Sequence, residues 1–177
     1  MHRTLEELQR GFEALPLPSR DSGRLFLIVR RPAPGIHEAQ ERIRLTPEEG
    51  VPEDEWNRHL PRRPDTQLAV MRRDLAELIG NGQALTAFGD NLFVELDLSN
   101  ANLPVGTRLR LGEAVVEVTP MPHTGCQKFK SRFGKDALQF VQSPAARQHN
   151  FRGIYWRVIE AGEVRVGSAI EVLDRAT

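Results

Sequence analysis

Thr107-Arg108-Leu109-Arg110-Leu111-Gly112-Glu113-Ala114-Val115-Val116-Glu117-Val118-Thr119, continuing as Pro120-Met121-Pro122-His123-Thr124-Gly125-Cys126-Gln127-Lys128-Phe129-Lys130, is the stretch that decides how the chain is read. Its first half holds two strand-like runs, Thr107–Glu113 and Ala114–Thr119, with Gly112-Glu113 between them. That pattern predicts a β-hairpin. The prolines at 120 and 122 end the second run. Beyond them the chain forms a loop leaving a strand end, where a rigid scaffold presents free side chains. It holds the only cysteine of the chain, Cys126, with His123, Thr124, Lys128 and Lys130 around it. A cation near a thiol favours the thiolate, the form that binds soft metals or attacks electrophiles. A single cysteine is also a common small buried hydrophobe. Pro-His-Thr-Gly before it and Gln-Lys after it argue for the polar setting.

Outward from this stretch, composition narrows the classes. A chain of 177 residues is long enough for one domain with a real core. Acidic and basic residues balance at 24 each, so no overall field draws the chain to nucleic acid or to a membrane surface. One cysteine makes no internal disulfide, and nothing argues for an oxidising compartment. Met1–Arg10 is not a secretory signal, and no apolar run approaches the roughly 20 residues of a membrane span. A cytoplasmic protein is expected. Twelve prolines and fourteen glycines favour strands and turns over a helical bundle.

Along the chain, Thr4 caps a short predicted helix with Glu6 and Glu7 in its first turn and Leu5, Leu8 and Phe12 on one face. Residues 1–22 therefore read as a helical arm, and 23–177 as the main domain. Arg24–Arg31 is a strand with an apolar centre, as for burial on both faces. Pro32–Gly35 is a turn and Gln40–Leu45 a half-exposed strand. Thr46–Gly50 resembles one helical turn, and Val51–Pro64 is a long polar loop. Gln67–Met71 is a strand, Asp74–Ile79 a short helix, and Phe88–Glu95 leads into another strand. Ser131–Gln148 is helical in composition. Gly153–Glu160 is a strand, Gly162-Glu163 a tight turn, and Ser168–Leu173 the closing strand. Seven or eight short strands with helices inserted predict a mainly β fold, a closed β-barrel with a few short peripheral helices.

Gly-rich nucleotide loops, paired-cysteine zinc patterns and Gly-x-Ser-x-Gly are all absent. Three groups are candidates to converge on Cys126. They are Arg72-Arg73 at a strand end, Lys128 with Lys130 and Arg132, and Arg147 to Arg152 ahead of the Tyr155 strand. Such cations hold a phosphate or another anion, or serve only as solvated surface charge. His123 reads either as a base or as a loop cap.

The order Gly89-Asp90-Asn91-Leu92, then Pro104–Ala114, then Val116–Thr119 leading to Cys126, then Gly153-Ile154-Tyr155 and Gly162–Ser168, resembles the MOSC domain. This domain is the C-terminal part of molybdenum cofactor sulfurases and also stands alone in bacteria. The resemblance is clearest from about Phe88 to Leu173 and departs from the usual spelling at Gly50–Asp54 and at His123–Gly125. It implies a β-barrel and a site for molybdenum cofactor, a pterin with a phosphate and a dithiolene-held metal. It implies Cys126 as metal ligand or sulfur carrier, His123 beside it, and a cofactor cradle from Asn91, Arg72, Arg73, Thr124, Lys128, Arg147 and Arg152. The activity implied is either reduction of N-hydroxylated compounds or sulfur and cofactor delivery. No pyridoxal phosphate site and no iron–sulfur cysteine cluster are expected in this chain, so the implied partner is a desulfurase or an electron-donor protein.

Overall fold

The hairpin at the centre of the sequence forms as its turn chemistry dictates. β6 (Arg108–Leu111) pairs antiparallel with β7 (Ala114–Val118), Leu111 opposite Ala114, and Gly112 takes the left-handed conformation at the corner. This computed structural model describes residues 1–177. The first strand, β1 (Ser22–Ala33), continues into a hairpin with β2 (Ile36–Gln40), and β3 is Arg42–Leu45. β4 (Leu68–Arg72) runs into helix α2 (Arg73–Gly80) and then β5 (Leu92–Glu95). β8 (Ile154–Glu160), β9 (Gly162–Arg165) and β10 (Ala169–Asp174) complete the strands.

The sheet order is β10-β6-β7-β8-β4-β5-β1-β2, and β10 also pairs with β1. That last ladder closes seven strands into a barrel and leaves β2 as a flap on its rim. Closure removes the unpaired edges that an open sheet would expose. β4 and β5 are the parallel pair of the barrel, and α2 supplies the crossover that parallel strands require. β3 pairs with β9 outside the main sheet.

Two apolar cores arise from strand alternation. Leu25, Ile28, Leu68, Val70, Leu92, Val94, Val116 and Trp156 fill the barrel. Their strand neighbours Val29, Met71 and Phe93 point outward, under the helices. β1 thus buries both faces, as its sequence predicts, with Phe26 bulged out of register at the rim. The outer core is completed by α1 (Leu5–Ala14), α3 (Gln127–Phe133), α4 (Lys135–Gln142) and α5 (Pro144–His149). Leu8, fully buried, fixes α1 there, and Thr4 and Glu7 form a reciprocal cap at its start. Phe129, Phe133 and Phe140 are the buried aromatic residues that α3 and α4 add to this layer.

Some elements differ from their sequence reading. Ile36–Gln40 is a strand, because it pairs with β1 at Ile28–Arg30 even though it carries His37 and Glu38. The helical segment starts at Gln127, directly after Cys126. Thr46–Gly50 closes as a turn through mutual backbone bonds between its ends. Gly162-Glu163 is not a turn but the start of β9, which follows β8 after the single residue Ala161, and Gly162 is needed because a Cβ there would lie 2.3 Å from the backbone of Glu113. No helix is long and apolar enough to cross a membrane.

Candidate functional site

The ends of β1 and β7 meet the starts of β5 and β8 at one place on the barrel wall, and the segment Pro120–Cys126 passes over it. Two glycines let the backbone come this close. A Cβ on Gly125 would sit 2.6 Å from Leu138 of α4, and one on Gly153 would sit 2.2 Å from the carbonyl oxygen of Val70. Gly153 also has φ +95°, a conformation open to glycine.

At the centre lies Asp90, fully buried. Arg152 Nη1 donates to both of its oxygens, at 2.9 and 2.8 Å. The guanidinium carbon stands 5.2 Å from the ring centre of Phe129, which shields the pair from water. Burial pushes the Asp90 carboxyl up despite Arg152 and Arg31 pulling it down. His123 sits on the other side of Asp90, its Nδ1 3.5 Å from Oδ1, too far for a hydrogen bond. Its ring packs on Tyr155 at 4.5 Å between centres. Burial, then the charges of Arg152 and Arg31, hold the imidazole well below its ordinary value of 6.5, so His123 is neutral. Two polar atoms here have no partner: His123 Nδ1 and Arg152 Nε. A buried group without a partner costs about 1–3 kcal/mol, so both point to something that would satisfy them.

A second buried pair flanks the first. Asp54 accepts from the backbone N–H of Arg31 at 2.8 Å, from its Nε at 3.1 Å and from its Nη2. Burial pushes the Asp54 carboxyl up, but Arg31 outweighs it and holds the group below the usual range. Arg31 Nη1 also reaches the Gly89 carbonyl at 3.3 Å. The loop Val51–Pro64 is therefore pinned to the site rather than free.

Two cavities open on this network. A chamber of about 180 Å³ is lined by Cys126, Lys128, Arg132, Arg31, Asp90 and Tyr155, among others. A groove of about 760 Å³ runs along Thr119–Thr124 and α5, past Arg147 and Asn150. His123 and Arg152 line both, so they form the partition between them. Cys126 is exposed at the mouth of the chamber. Tyr155 faces the same space, and burial first, then Asp90, raise its phenol above 10.0.

Of the residues singled out in the sequence, Cys126, His123, Lys128 and Arg152 come together at the chamber, and Thr124 and Arg147 line the groove. Asn91 lies beneath, on neither wall. Its side-chain oxygen accepts the Ala69 N–H at 3.0 Å and its nitrogen donates to the Val29 carbonyl at 3.3 Å, so its amide stitches β4 to β1. Arg72 and Arg73 lie elsewhere, on a cleft of about 500 Å³ beside Pro16–Ser19. They point that way because Arg72 pairs with Asp74, and Arg73 with Glu77 and Glu95. Sequence reasoning missed Arg31, Asp54 and the ionic role of Asp90. The available signals were Arg30-Arg31 closing an apolar strand and Asp90 opening one.

A barrel of this topology with a thiol, a buried carboxylate and arginines at one rim defines a class. The MOSC domain family profile matches residues 45–171, most of the chain, and the chain belongs to that family, whose members generally bind molybdenum cofactor. Over 100 residues it is 37% identical to the uncharacterized protein YflK of Bacillus subtilis; the match takes in 56% of this chain and 42% of that one. The chain thus spans less than half the length of that relative. Among solved structures, the fold is shared with the YuaD protein from Bacillus subtilis at 15% identity and a TM-score of 0.63, over 88% of this chain and 98% of that one. It is shared with YiiM from Escherichia coli at 23% identity and a TM-score of 0.58, over 87% and 71%. A hypothetical protein of known structure aligns with a TM-score of 0.68 at 23% identity, over 89% and 71%.

Proposed function

We propose that the chain binds molybdenum cofactor across the His123–Arg152 partition, with Cys126 as metal ligand, and reduces N-hydroxylated compounds. The observation that carries this reading is the exposed thiol standing beside two buried, unpartnered nitrogen atoms. Ligand cavities commonly have volumes of about 300–1,000 Å³. The groove falls in that range and suits a pterin with its phosphate, with Arg147 and Arg152 on its wall. The chamber is smaller and suits the reacting end of a substrate. No group of three His, Cys, Asp or Glu side chains is arranged to hold a metal ion by itself. A metal held by Cys126 would bring its other ligands, as a pterin dithiolene does.

When bound, the cofactor supplies electron-pair transfer at molybdenum. The chain's residues then hold and orient. Cys126 offers a soft sulfur ligand from the rigid start of α3. Arg152, fixed by Asp90, presents its free Nε to an oxyanion. His123, neutral, keeps one nitrogen as donor and one as acceptor beside the reacting group. Phe129 and Tyr155 exclude water from the charges behind them.

Protein purified from a cofactor-competent host should carry molybdenum and pterin, measured by metal analysis and by pterin fluorescence after oxidative release. Reduced methyl viologen should drive reduction of an aryl amidoxime. Cys126→Ser should keep pterin and lose that activity. Absence of both molybdenum and pterin would overturn the reading. The exposure of Cys126 favours a second one, a sulfur carrier. Incubation with a desulfurase should then add one sulfur to the intact mass, and the adduct should vanish in Cys126→Ser.

A further inference from the structure

The chain has three lysines, Lys128, Lys130 and Lys135, and all fall within eight residues that start just after Cys126. All three are exposed, along α3 and the first residue of α4. None holds a carboxylate, whereas Arg30, Arg31, Arg72, Arg73, Arg152 and Arg157 each do. The acids nearby keep their charge, but none of them forms an ion pair with a lysine. Asp136 accepts the Leu5 N–H at 3.1 Å, and Glu7 is spent on the Thr4 N–H. Lys130 and Lys135 also line a surface groove of about 520 Å³ whose other walls, including Leu5, Gln9, Leu138 and Gln142, carry no acid.

We infer that this lysine face docks an acidic electron-donor protein next to the mouth of the Cys126 chamber. The inference rests on the proposed reductase function, which needs electrons brought from outside the chain. The chain is neutral overall, so any steering toward an acidic partner comes from a local patch. Lysine suits that task. Its ammonium is compact, strongly hydrated and flexibly carried, so it attracts on approach without locking a fixed geometry. Arginine makes the buried pairs of this chain, at Arg31, Arg72 and Arg152. The donor would dock over α3, one helical turn from the thiol, since the Lys130 N–H bonds the Cys126 carbonyl at 3.0 Å.

Reduced flavodoxin, a small acidic protein, serves as the probe, with reduced methyl viologen as the donor that needs no docking. The test variant is Lys130→Glu with Lys135→Glu, which leaves the chamber residues in place. With flavodoxin, the wild-type rate should fall as salt rises, and the double variant should be about tenfold slower at low salt. With viologen the two should be equal, which also shows that the variant is folded. A double variant that takes electrons from flavodoxin at the wild-type rate overturns the inference. Should viologen drive no turnover in either protein, the reductase reading fails by itself. Docking is then read from association of oxidised flavodoxin with the immobilised chain. Binding weakened by salt and by the double variant sustains it, and binding indifferent to both overturns it.

Discussion

Two clefts on this barrel are rich in arginine, and they differ in what those arginines hold. Beside Pro16–Ser19, Arg73 spreads over Glu77, Glu95 and the ring of Phe26, with its guanidinium carbon 3.6 Å from the ring centre. Those acids are half exposed, and water shares the task of solvating every charge. At the chamber, Asp90 has no exposure and Arg152 almost none, yet Arg152 Nε and His123 Nδ1 are left without partners. The first cleft is complete as it stands. The second keeps hydrogen-bonding capacity unspent. Positive charge alone does not mark a site; what sets this one apart is unspent, buried hydrogen-bonding capacity beside an exposed thiol.

The difference can be broken at its strongest point. Asp90→Ala leaves the Arg152 guanidinium buried without its carboxylate, and losing one partner of a buried pair costs about 3–5 kcal/mol. Urea unfolding should show a loss of that size. A loss under about 1 kcal/mol would mean that water reaches the pair.

Acidification sharpens the contrast next. The unfolded chain protonates His123 as pH falls through its ordinary value, 6.5, and the folded chain does not. Stability therefore falls below pH 6.5, at up to about 1.4 kcal/mol per pH unit for one group. His123→Gln should flatten the slope of unfolding free energy in that window. Asp90 acts in the opposite sense at lower pH, since its raised carboxyl takes up a proton more readily in the fold. An unchanged slope in His123→Gln would place the ring in contact with water.

At the other cleft, Arg73→Ala removes half-exposed ion pairs, each worth about 1 kcal/mol or less. With two such pairs it should shift urea unfolding by no more than about 2 kcal/mol and leave molybdenum content unchanged. A loss of molybdenum in this variant would return Arg73 to the site. The smallest stability effect belongs to Cys126→Ser. An exposed side chain of similar size should change unfolding free energy by less than about 0.5 kcal/mol. The contrast with its expected loss of amidoxime reduction separates function from folding at that residue.

The strands were legible where alternation and turn residues agreed, as in Arg108–Leu111, Gly112 and Ala114–Val118. β2 was not, because His37 and Glu38 interrupt its pattern and pairing with β1 decides its conformation. Cys126 and His123 stood out by their loop and their polar neighbours. Arg72 and Arg73 looked as suitable as Arg152, since all are arginines at the end of a strand or just before one. Only the positions of Asp74, Glu77 and Glu95 show the first two already engaged.

Sequence by itself determined the class of fold and the place of the thiol, because these depend on periodicity and on the nearest neighbours along the chain. Tertiary structure alone decided which charges act together. Asp90 meets Arg152 from 62 residues away and Arg31 meets Asp54 across 23. An ion's burial and pairing are set by groups that only the closed barrel brings within reach.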